Sequence, residues 1–153
     1  MRHLVRPLAE ARVLLNKEAV AFYEALPEFR VAEVGGQIVG CGALHVLWED
    51  LGEVRTLAVD SHHHGLGVGA RLLDRLVTDA LALGLDRLFC LTFETDFFGR
   101  HGFAPIEGQA VEPEVYAELL RSYDEGVAEF LDLERVKPNT LGNTRMLRVL
   151  RQG

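Results

Sequence analysis

Three glycines alternate with Leu66 and Val68 between Gly65 and Gly69, directly after the β-rich run Glu53–Val59 and directly before an apolar-periodic stretch. Glycines let several backbone N–H groups converge, and a helix starting there adds the positive end of its dipole. That is anion chemistry, suited to a phosphate-bearing ligand. Two carboxylates flank the region, Glu53 at the head of one apolar run and Glu94 at the end of the next. Groups of that kind take a proton from an incoming nucleophile. The spacing narrows the ligand. A Walker loop requires Lys-Ser/Thr after its last glycine, and here Gly69 is followed by Ala70-Arg71. A dinucleotide fold requires Gly-x-Gly-x-x-Gly early in a parallel sheet, and Gly65-Leu-Gly-Val-Gly69 has another spacing.

The surrounding elements read as follows. Leu4–Leu26 is helical, interrupted near Pro7 and Asn16, with Asn16 a cap for Lys17–Leu26. Phe29–Val34 and Gln37–Val46 form a hairpin around Gly35-Gly36, and a second turn at Trp48–Gly52 leads into Glu53–Val59. Gly67–Leu83 is a helix, with Leu72, Leu73, Leu76 and Ala80 on one face and Gly84 ending it. Arg87–Phe93 is a strand, Thr95–Arg100 a short helix, Phe103–Glu107 a strand, and Pro113 to about Tyr123 a helix. Val127–Leu133 reads as β, Lys137-Pro-Asn as a loop, and Arg145–Leu150 as the last strand. The expected class is α+β: a mixed, mostly antiparallel sheet flanked by helices, with the glycine loop opening its one crossover helix.

The 153 residues suffice for one domain over 1–153. The net charge of −7 argues against nucleic acid as a partner. No apolar run is long enough to span a membrane and no signal peptide is evident, so the cytoplasm is the expected compartment. Cys41 and Cys90 fit no pairing motif and read as buried, inert thiols. The His62-His63-His64 run is a poor metal site, since consecutive loop residues rarely converge on one ion; no metal is expected.

Two motifs together carry a resemblance. Leu57-Ala58-Val59-Asp60 followed by His64-Gly65-Leu66-Gly67-Val68-Gly69, and then Phe97-Phe98-Gly99-Arg100-His101-Gly102-Phe103, resemble the paired motifs of the GCN5-related N-acetyltransferase (GNAT) family. Cys41–Trp48, Leu91–Thr95, Ser122–Leu133 and Val136–Leu147 further resemble the short stand-alone bacterial N-acetylglutamate synthases within it. The resemblance covers about Leu14 to Leu150 and implies a GNAT fold, with the family's usual first strand missing or replaced by Met1–Arg6. Losing that strand would expose a sheet edge, and a homodimer is the assembly expected.

The resemblance implies acetyl-CoA as co-substrate and a small-molecule amino acid as acceptor, with L-glutamate favoured and arginine biosynthesis as the setting. Another amine (glutamine, a polyamine, a peptide N-terminus) is the alternative acceptor, and a non-catalytic acyl-CoA-binding module the alternative class. The cofactor site would comprise Leu57, Ala58 and Val59 along the pantetheine arm, His64, Gly65, Leu66, Gly67, Val68, Gly69 and Ala70 around the pyrophosphate, and Phe98. Arg71 or His64 would meet the outer phosphates. Glu53 is the first candidate base and Glu94 the second. Phe98 stands where the family often has a tyrosine acid, which leaves Tyr123, Tyr116, water or an unassisted thiolate. Arginine suits the acceptor's carboxylates. Arg55 and Arg145 are the candidates, beside Asn143, Thr144 and Thr92, with Lys17 and Arg30 in reserve.

Overall fold

A computed structural model describes residues 19–151 together with His3. The elements in order are α1 (Ala19–Ala25), β1 (Phe29–Val34), β2 (Gln37–Trp48), β3 (Leu51–Val59), α2 (Val68–Ala82), β4 (Arg87–Thr92), α3 (Thr95–Arg100), β5 (Ala104–Pro105), α4 (Pro113–Leu119), α5 (Glu125–Phe130), α6 (Lys137–Thr140) and β6 (Thr144–Val149). The sheet order is β1-β2-β3-β4-β6-β5. Only β3 and β4 run parallel, joined by the crossover helix α2; the other neighbours are antiparallel. This is the expected α+β architecture with a mixed sheet.

Each face of the sheet has its own core. Leu73, Leu76 and Ala80 of α2 meet Leu44, Val54, Leu88, Cys90 and Met146, with Phe98 and Phe103 completing the cluster. On the opposite face Leu47, Leu51 and Phe89 meet Leu119, Val127 and Phe130 from the α4–α5 region. No side chain caps the N-terminus of α2. Fully burying Leu73 and Leu76 is worth roughly 3–6 kcal/mol together, against about 1 kcal/mol for a cap, so packing holds this helix in place.

Two irregularities shape the centre. Cys41 pairs with Ala58 while Ala43 pairs with Arg55, so β3 carries one extra residue there. Thr56, within that bulge, has φ 55°, a conformation a β-branched residue rarely accepts. The bulge resets the alternation: Leu57 joins the α2 core, and Ala58 joins Cys41, Ala43 and Phe29 on the other side. The second irregularity is a parting of strands. β3 pairs with β4 only at Leu51↔Arg87, Gly52↔Leu88 and Glu53↔Phe89, although β3 continues to Val59 and β4 to Thr92. Beyond Glu53 the sheet opens.

Several expectations are corrected. Val127–Leu133 is not a strand: Glu125–Phe130 is helical, started by Asp124, whose carboxylate accepts the Val127 N–H at 3.1 Å. A short apolar run interrupted by Glu129 and Asp132 does not by itself distinguish the two. The strand at Phe103–Glu107 contracts to Ala104–Pro105, with one further ladder bond from the Ile106 N–H to the Arg145 carbonyl at 2.9 Å. The helix from Pro113 stops at Leu119, and Lys137–Thr140 is a helical turn rather than a loop. The breaks at Pro7 and Asn16 and the question of a replacement strand at Met1–Arg6 fall outside the described residues.

Candidate active site

The glycine loop sits at the mouth of the opening between β3 and β4. Asp60 ends β3 and accepts the His62 N–H at 2.8 Å, which turns the chain. That bond, with the neighbouring imidazoles, holds the exposed Asp60 carboxyl below the usual range. His64 donates from Nε2 to the Val59 carbonyl at 2.9 Å, so its ring ties the loop back to the strand it leaves. Gly65 and Gly67 have φ of 77° and 80°, with open space where a Cβ would stand. They are required for backbone conformation, not for room. Gly69 has ordinary φ, and a Cβ there would rest at 3.6 Å from the Phe97 ring. The first amide after His64 with a backbone partner is Arg71, bonded to Gly67 at 3.1 Å. Among the described residues, the N–H groups of Gly65 to Ala70 therefore stand free at the positive end of a fifteen-residue helix. Unpartnered amides at a helix N-terminus are the chemistry that suits an anion. Leu66 and Arg71 are exposed beside it, while Val68 and Ala70 are half-buried.

A second centre lies on the opposite face, where the strands begin to part. Glu53 is 3% exposed. Its Oε2 accepts from Arg55 Nε at 2.6 Å. The two terminal nitrogens of Arg55 grip Asp124: NH1 donates to Oδ2 at 3.1 Å, and NH2 donates to Oδ1. His45 faces Glu53 across the β2–β3 ladder. Its Nδ1 donates to Glu28 Oε1 at 2.6 Å, and its Nε2 is 4.0 Å from Asp124 Oδ2. A Cβ on Gly126 would overlap the Arg55 guanidinium and the Glu53 carboxylate, so the first turn of α5 rests directly on the pair.

Burial pushes the Glu53 carboxyl up, with Arg55 opposing. At Asp124 burial also acts upward, but the Arg55 hydrogen bonds and charge outweigh it and hold that carboxyl below the usual aspartate range. At Arg55 burial acts downward, and the two carboxylates more than reverse it, so the guanidinium is always charged. With both acids ionised, the cluster carries one net negative charge in a largely buried setting. An approaching ammonium would neutralise it.

The other expected site residues are placed as follows. Arg145, on β6 opposite Leu91, donates to the carbonyls of Phe130 and, at 3.0 Å, Gly108. Its Nε and the Oδ1 of Asn143 are buried without a partner. Burial lowers the Arg145 guanidinium, with Asp132 opposing. Thr92 and Thr144 are cross-strand partners, and the Thr92 hydroxyl accepts the Glu94 N–H at 2.8 Å. Glu94 is exposed at the start of α3. Arg30 pairs with Asp79 at 2.8 Å. Tyr116 packs into the α4–α5 core, while Tyr123 is 99% exposed and is not drawn into the cluster. Phe98 is buried, edge-to-face between Phe97 and Phe103. Lys17 lies outside the described residues. Both cysteines are buried and free, with the Cys41 thiol pushed up to about 11 by burial. Among the described residues no cluster of His, Cys, Asp or Glu is arranged to hold a metal. None of the described helices is long and apolar enough to cross a membrane.

Sequence reasoning missed Asp124, His45 and Gly126. The available signal was Asp124-Glu125 ahead of an apolar run, an N-cap pattern overlooked in favour of a strand.

Comparison with known proteins gives the family and the fold. The acetyltransferase (GNAT) family model matches residues 10–103. The amino-acid acetyltransferase of Mycobacterium tuberculosis is 60% identical over 142 residues, covering 91% of this chain and 82% of the relative. A Mycobacterium tuberculosis protein solved in complex with CoA and a second small molecule superposes with a TM-score of 0.90 at 56% identity, over 96% of this chain and 92% of that one. The N-acetylglutamate synthase of Neisseria gonorrhoeae, solved with coenzyme A and N-acetyl-glutamate, gives a TM-score of 0.77 at 25% identity. That match takes in 99% of this chain, which spans 32% of the longer synthase.

Proposed function

The chain belongs to the acetyltransferase (GNAT) family, and from that premise we propose that it transfers the acetyl group of acetyl-CoA to the α-amine of L-glutamate. The observation that carries the transfer reaction is the parted β3–β4 edge with free amides of Gly65–Ala70 at its mouth. The pyrophosphate binds those amides, and the pantetheine arm runs along the Leu57–Val59 backbone as an added strand. The thioester then lies near the point where β3 and β4 part, close to Glu53.

The acceptor arrives as an ammonium, drawn by the net negative Glu53–Arg55–Asp124 cluster. Glu53 takes its proton, directly or through one water, and burial has already raised that carboxyl toward the working pH. The free amine attacks the thioester carbonyl, the nitrogen gives up its second proton to solvent, the C–S bond breaks and CoA leaves as the thiolate. Phe98 cannot donate a proton to the leaving group and is buried besides, so that proton comes from solvent.

An anionic acceptor is favoured by the buried, unpartnered Nε–H of Arg145, which calls for an acceptor atom. The names borne by the relatives point the same way. Arg55 already spends donors on two carboxylates and serves the cluster rather than the substrate's acid groups. Release of CoA thiol measured against a panel of amino acids and polyamines tests the reading. Glutamate should give the highest kcat/KM. Turnover of polyamines alone would overturn the choice of acceptor, and CoA binding without any turnover would overturn the enzyme.

A further inference from the structure

We propose that Asp124 is a positioning residue for the transfer step, acting through Arg55 to hold the Glu53 carboxylate where it meets the incoming amine. The inference rests on Glu53 being the base.

The chain of contacts is short. A guanidinium free to rotate could turn its two-pronged end onto Glu53 and occupy both carboxylate oxygens. Here that end is taken by Asp124, through NH1 at 3.1 Å and through NH2. Glu53 receives only the Nε–H at 2.6 Å. One carboxylate oxygen thus carries the Arg55 bond and the other is left for chemistry. Asp124 is itself fixed, because its Oδ1 accepts the Val127 N–H and caps α5, while Ser122 Oγ accepts its own N–H at 3.1 Å. Gly126 closes the arrangement, since its missing Cβ lets α5 press on both side chains. The α4–α5 segment, 69 residues from Arg55 in sequence, thereby sets the geometry of a residue on β3.

The ionisable groups acting on Glu53 are Arg55 on its own strand, Asp124 from the α4–α5 segment and His45 from β2. Cys90 on β4 feels Glu53 in turn, and Glu28 lies behind His45. Asp124 and Arg55 act on Glu53 in opposite senses. Losing the Asp124 charge removes an upward influence and lets Arg55 settle on Glu53, so both changes weaken the base.

The test compares Asp124→Asn and Asp124→Ser with the parent and with Glu53→Gln. Asn and Ser both retain an N-cap oxygen, so α5 should persist and the melting temperature should hold. For both variants kcat should fall about 10- to 100-fold, as small misplacements at reacting groups do. KM for acetyl-CoA should not change, and the acid limb of the pH–rate profile should move to lower pH. A parental kcat and limb in Asp124→Asn would overturn the proposal. So would a loss of rate matched by loss of folded protein with the limb unmoved, the mark of a merely structural role. Parental activity in Glu53→Gln would overturn both the base assignment and this inference. An inactive Glu53→Gln beside an unaffected Asp124→Asn would overturn this inference alone.

Discussion

The glycine loop and the Glu53 cluster face the same opening but are built on opposite principles. The loop is made of backbone: its donors are amides, and it is contiguous from His64 to Ala70. The cluster is made of side chains drawn from β2, β3 and the α4–α5 segment and is largely buried. A backbone site tolerates exchange of side chains but not of torsion angles. A side-chain site tolerates neither a lost charge nor an added methyl. The first can hold any ligand of one chemical class; the second sets what happens to that ligand.

If the contrast holds, damage to the cluster should appear in kcat and damage to the loop in the KM for acetyl-CoA. The largest effect is expected for Glu53→Gln, with kcat lowered about 10²- to 10⁴-fold while CoA affinity, measured by calorimetry, stays at the parental value. Next comes Gly126→Ala, whose methyl has no room between Arg55 and Glu53. It should destabilise the fold by about 1–3 kcal/mol in denaturant titration and lower kcat as well. Gly67→Ala should be milder: a left-handed φ costs an alanine about 1–2 kcal/mol, and the distorted loop should raise KM for acetyl-CoA more than it lowers kcat. Gly69→Ala, where φ is ordinary and the methyl fits, should leave both constants unchanged and so separates conformation from mere glycine content.

The pH dependence sharpens the same division. Glu53 must be unprotonated to accept a proton, and burial raises its carboxyl. The rate should therefore fall with unit slope as pH drops through a value above the ordinary glutamate pKa of about 4.3. Smallest of all, alkylating reagents at neutral pH should leave activity intact, because Cys41 and Cys90 are buried and their thiols are pushed up. Rapid inactivation would mean that a cysteine belongs to the working surface.

The difference between the regions also explains what the sequence could reveal. The loop was legible because its function needs only local torsion angles, which glycine spacing records. The hairpin around Gly35-Gly36 and the α2 face of Leu72, Leu73, Leu76 and Ala80 were legible for the same local reasons. Glu53 could be singled out from its place on a strand. Its partners could not, because Arg55 and Asp124 meet only after α5 docks, and the six residues of Glu125–Phe130 are too few to display a helical period. Arg55 illustrates the limit: residue type suggested a carboxylate receptor, and only the folded chain brings its guanidinium onto Glu53 and Asp124. The bulge at Thr56 was equally silent, since a threonine gives no warning of a positive φ.

The parting of β3 from β4 has one further consequence. A sheet that stops pairing at Glu53 is an incomplete hydrogen-bond ladder, and a ligand lying along it would act as a removable strand. Its binding would then be a final step of folding. Those amides of Val54–Val59 that point away from β2 should exchange with solvent readily in the free protein and become protected when the ligand is present. At a ligand concentration one hundred times Kd the whole molecule should gain about 2.7 kcal/mol of stability. Cellular levels of the ligand would then govern how long the protein survives as well as how fast it works.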